Sequence, residues 1–76
     1  MIFLIQYDRQ KGELVRLETY SDLERKTAEE SRLILEIDLN RQHINHEVVL
    51  LQAQDENALR RTHRRYFEDL AELVKG

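Results

Sequence analysis

Residues 2–7 read I-F-L-I-Q-Y, and no other stretch limits the fold so tightly. The run is short, β-branched and aromatic, as strands are. Successive side chains of a strand point to opposite faces of its sheet. A strand that is apolar at nearly every position therefore needs cover on both faces. E-V-V-L-L-Q-A (47–53) repeats the pattern and predicts a second strand of this kind. E-L-V-R-L-E-T-Y (13–20) differs, because it alternates. Arg16 and Glu18 are expected on one face, with Val15 and Leu17 on the other, as in a half-exposed edge strand.

The segments between these runs supply the turns and helices. D-R-Q-K-G (8–12) suits a four- or five-residue hairpin loop, with Gly12 free to take positive φ. S-D-L-E (21–24) fits a capping box, in which Ser21 and Glu24 satisfy each other's free backbone amides. A helix is predicted from there to about residue 41. R-L-I-L-E-I-D-L (32–39) also alternates like a strand, but it continues a capped run with no turn residue inside it. Its length favours helix. Q-H-I-N-H (42–46) is the connector to the next strand. Asp55 then caps a last helix, predicted over about 56–74.

These elements predict one small α+β domain over residues 1–76. Its expected form is a two-layer β-β-α-β-α sandwich. The expected sheet is mixed and three-stranded, in order 2-1-3, with a right-handed crossover and both helices on one face. The element order resembles pieces of ferredoxin-like folds, a likeness of fold that carries no function. This arrangement leaves one sheet face and the outer edge of the third strand without partners. Exposed apolar edges invite pairing with another chain, so a homodimer is expected. Within the first helix, Leu23, Thr27, Ile34 and Ile37 share one face, and Ala28, Leu35 and Leu39 share another. Leu35 and Leu39, with Val49 and Leu51 of the third strand, are the expected interface, the alternative being one broad apolar stripe packed between the sheet and the last helix.

Composition narrows the chemistry. The chain has 76 residues and no cysteine, which excludes disulfides, thiolate metal sites and a cysteine nucleophile. A domain this short often gains stability from oligomerisation. Charged residues make up 36% and the net charge is -3, unlike the basic balance of a dedicated nucleic-acid binder. The opening M-I-F-L-I-Q-Y lacks the basic start and long apolar run of a signal peptide, and no stretch has the length of a membrane span. A cytoplasmic location is the default expectation, with no membrane partner.

The strongest local signal is A-L-R-R-T-H-R-R-Y-F (58–67). On a continuous helix Arg60, Arg61, Arg64 and Arg65 fall within an arc of about 140°. That makes them candidates for an anion or nucleic-acid surface, since arginine forks match phosphate oxygens. Carboxylates at 68, 69 and 72 follow within two turns, however, and a solvated, salt-bridged or subunit-pairing face is the favoured account of the pattern. His63 falls on the opposite, apolar side with Tyr66. It is expected at the core edge, with a pocket role beside Tyr66 as the sharper alternative.

H-I-N-H-E (43–47) gathers His43, His46 and Glu47, ligand types that zinc accepts. It lacks the order of the H-E-x-x-H pattern and falls in a connector, so these residues are weak metal candidates. No phosphate-cradling glycine loop is present. Ser21 and Ser31, the only serines, have no nucleophile's setting. The sequence therefore leans away from an enzyme and implies no cofactor. It favours a small homodimeric interaction or structural module, with another protein only as a secondary partner.

Overall fold

A computed structural model describes residues 1–68. The elements follow in the expected order: β1 (Ile2–Asp8), β2 (Glu13–Tyr20), α1 (Arg25–Arg41), β3 (Glu47–Gln52) and α2 (Glu56–Thr62). Short 3-10 turns at Asp22–Glu24 and Arg64–Tyr66 precede α1 and follow α2. The strands form one sheet in the order β2-β1-β3. Both pairings are antiparallel, so the sheet is not mixed as the sequence reading had it. Strand β3 runs alongside β2 in direction, but the two are separated by β1.

The central strand β1 is buried from Ile2 to Tyr7, as its unbroken apolar run requires. Its odd residues Phe3, Ile5 and Tyr7 pack with Leu59 of α2 and with Tyr66. Its even-numbered Leu4 packs with Leu35 and Leu39 of α1. The helices therefore lie on opposite faces, giving three layers where two were expected. Alternation along β1 sets this outcome. Each face of a strand apolar on both sides must be covered, and one helix can cover only one of them.

The hairpin between β1 and β2 closes where the sequence placed it. Gly12 adopts φ 66° and donates its N–H to the Asp8 carbonyl at 2.8 Å. The Asp8 carboxylate accepts from the amides of Gln10 and Lys11, an Asx-type turn. Further along, Gln6 pairs with Arg16 while Tyr7 pairs with Leu14. Val15 is the extra residue of a β-bulge and is exposed, not grouped with Leu17 as expected. One inserted residue inverts the alternation. It lets Leu14 and Leu17, three apart, both pack against the α2-side core.

Before α1 the predicted capping box is present, with Ser21 donating its amide N–H to the Glu24 carboxylate at 2.9 Å. Asp55 caps α2 by accepting the Ala58 amide at 2.8 Å. The last helix is shorter than predicted. His63 leaves helical geometry with φ -125° and ψ 53°, and the chain tightens into the Arg64–Tyr66 turn. That break turns Tyr66 inward, where it is buried edge-on to Tyr7 with ring centroids 5.3 Å apart. The remainder of the predicted helix, from residue 69 on, lies outside the described residues.

Candidate functional site

The break after Thr62 disperses the arginine stripe. Arg60 pairs with Glu56 at 3.5 Å and lies 4.5 Å over the Phe67 ring. Arg64 pairs with Glu68 at 3.1 Å, the helical spacing foreseen in the sequence. Arg65 turns the other way and reaches Glu47 at 2.5 Å, at the start of β3. Of the four, only Arg61 has no ion-pair partner among the described residues. The single arc of positive charge depended on an unbroken helix, and it does not form.

Arg65 belongs instead to a polar cluster at one end of the sheet, centred on Glu47. The Glu47 side chain is 8% exposed. One carboxylate oxygen accepts from Nε and Nη2 of Arg9, at 2.8 and 2.6 Å. The other accepts from Arg65 and from the Tyr66 hydroxyl. The Arg65 guanidinium also stacks 4.3 Å over the Tyr66 ring. Hydrogen bonding by Arg65, helped by Tyr66 and Arg9 and opposed by burial, pulls the Glu47 carboxyl down to about 2. Burial pushes the Tyr66 hydroxyl up, and its bond to the Glu47 carboxylate adds to that. The cluster ties the hairpin loop, β3 and the turn after α2 together through one carboxylate.

On the other face of the same strand end, the buried Gln6 amide meets Nδ1 of His46 at 2.8 Å. The other ring nitrogen of His46 lies 3.5 Å from the Asp8 carboxylate. Backbone hydrogen bonding from Lys11 holds the Asp8 carboxyl below its ordinary range, and His46 adds to it. Of the three weak metal candidates, His43 is exposed at positive φ, His46 faces Gln6 and Asp8, and Glu47 faces two arginines. They do not converge, and among the described residues no group of three potential ligands does.

His63 is half-buried and closes α2, its backbone N–H donating to the Leu59 carbonyl at 2.9 Å. Its ring centroid lies 6.5 Å from that of Tyr66, whose hydroxyl is engaged by Glu47 and Arg65 instead. Tyr66 lines a hollow of about 320 Å³ with Gly12, Leu14, Arg60 and Phe67, and His63 is not part of its wall.

The residues expected at the interface lie inside the fold. Leu35 and Leu39 are buried against Leu4, with Val48 and Leu50 packed beside them. Val49 and Leu51 are half-buried on the opposite face, against the α2-side core. Of the two apolar faces of α1 legible in the sequence, the one with Leu35 and Leu39 packs on the sheet and the one with Ile34 and Ile37 is exposed. The outward face carries Ile34 and Ile37, which are 68% and 45% exposed. Leu23, in the turn before α1, is 98% exposed. Beside this face runs a groove of about 450 Å³ between α1 and β2. Arg16 and Glu18 form its β2 wall, and Ile34, Ile37, Asp38 and Arg41 line the α1 side.

Among known proteins, no family model, no curated protein and no solved structure matches this chain.

Proposed function

We propose that the chain is a protein-interaction module that associates with itself through the outward face of α1. The observation that carries this reading is the exposure of Ile34 and Ile37 on one line of a helix whose other apolar stripe is already buried. The two stripes lie about 140° apart around the helix axis. One stripe cannot share the core of the other, so the outward one is dry only against a second molecule. Isolated surface apolar residues are ordinary, whereas an aligned set next to a groove with polar walls marks a contact surface. Shortness supports the same conclusion, since a domain of this size buries a modest share of its surface alone.

The polar groups of the fold support a binding role over chemistry. Glu47, Arg9, Arg65 and Tyr66 already satisfy one another. Pairing of Arg60, Arg64 and Arg65 with carboxylates weakens the anion-binding alternative. The test is hydrodynamic mass as a function of concentration, for the native chain and for Ile34→Asp. A dimer that the substitution converts to a monomer supports the reading. A native chain that stays monomeric throughout removes it.

A further inference from the structure

We infer that the surface on α1 accepts α1 of a second copy, antiparallel and in one register, fixed by Glu30 of each chain against Arg41 of the other. The inference rests on the self-association reading and specifies its geometry.

The outward line of α1 consists of Thr27, Glu30, Ile34, Ile37 and Arg41. All five are exposed. Their separations alternate between four and three residues, the spacing of a coiled-coil seam. At about 100° per residue they occupy an arc of roughly 80°, narrow enough for a single helix contact. Between Glu30 and Arg41 on this line, only Ile34 and Ile37 are apolar. Glu30 lies four residues before Ile34, and Arg41 four residues after Ile37. Neither charge has an ion-pair partner among the described residues. The neighbouring pair Arg32–Glu36 is closed on itself at 3.1 Å.

This symmetry selects the orientation. A twofold axis placed midway between Ile34 and Ile37 sets Ile34 of one chain opposite Ile37 of the other. The same axis sets Glu30 opposite Arg41, at both ends of the contact. The apolar centre and the charged ends thus come into register together, as an isologous interface demands. A parallel arrangement in register would oppose Glu30 to Glu30 and Arg41 to Arg41, which repels. Shifting the antiparallel register by one heptad would bring an isoleucine against a charged residue. The contact spans about three helical turns, at the small end of specific interfaces, so association is expected to be reversible and concentration-dependent.

Charge reversal tests the register. The dimer dissociation constant is measured by sedimentation equilibrium for the native chain, Glu30→Arg, Arg41→Glu and the double variant. Each single reversal replaces two attractions with two repulsions and is expected to weaken the dimer at least about tenfold. The double variant restores opposite charges and is expected to return to near the native value. Both positions are exposed, so circular dichroism melts of dilute samples are expected to be unchanged and confirm that each variant folds. A native dimer indifferent to single reversals, or a double variant as weak as the singles, overturns this register but leaves self-association standing. A native chain that is monomeric at every concentration overturns both.

Discussion

Replacing Glu47 by glutamine removes the charge that holds three elements together while keeping the side chain's size. The magnitude follows from the titration of the carboxyl, at about 2 in the folded chain against an ordinary 4.5. At about 1.4 kcal/mol per tenfold, that difference sets a ceiling of about 3 kcal/mol on what ionisation contributes at neutral pH. The two arginine partners are 67% and 59% exposed, so they regain water once the carboxylate is gone. A loss of about 2 kcal/mol is therefore expected, not the larger cost of a fully buried unpaired charge. For 76 residues, a total stability of roughly 4–11 kcal/mol makes that a considerable fraction. The sign fixes the pH window. A carboxyl whose folded pKa is depressed adds stability above its unfolded pKa and loses it as pH falls through the folded value. Urea unfolding of both chains, followed by circular dichroism, should show the full gap at pH 7. The gap should shrink between pH 4.5 and about 2. A gap below about 0.5 kcal/mol at neutral pH, or one unchanged by acid, would refute the argument.

Other substitutions separate the two faces of α1 and probe the turns. Leu35→Ala, in the core, is expected to cost about 2–4 kcal/mol, while Ile34→Ala on the outward face leaves the melting of a dilute sample nearly unchanged. Equal losses at the two positions would contradict the assignment of faces. Gly12→Ala forces a β-carbon into positive φ and is expected to cost about 1 kcal/mol, read as a lower urea midpoint. Titration with a short mixed-sequence DNA or RNA is expected to leave the amide NMR signals of residues 58–68 in place at low salt, because carboxylates already neutralise three of the four arginines.

Local signals in the sequence translated well into local structure. The Ser21 capping box, the Gly12 turn and the Asp55 cap depend on neighbouring residues, and each forms where its residues stand. The strand order was legible because β1 is apolar on both faces and β2 alternates. Contacts between distant residues were not legible. Glu47 meets Arg9 and Arg65 across 38 and 18 residues, and nothing near it in the chain announces either partner. The arginine stripe failed for a related reason. Helical periodicity assumes that the helix continues, whereas burial of Tyr66 against Tyr7 and its bond to Glu47 end the regular turn at Thr62. On α1 the two stripes were visible but their roles were not. Either could have faced the sheet, and Leu4 with its neighbours on the sheet selects Leu35 and Leu39.

Sedimentation equilibrium of the native chain, from micromolar to millimolar concentration, tests the central claim most directly. A weight-average mass that rises from one chain toward two, and that Ile34→Asp returns to one, is the predicted result. A mass that stays at one chain over the whole range would contradict it.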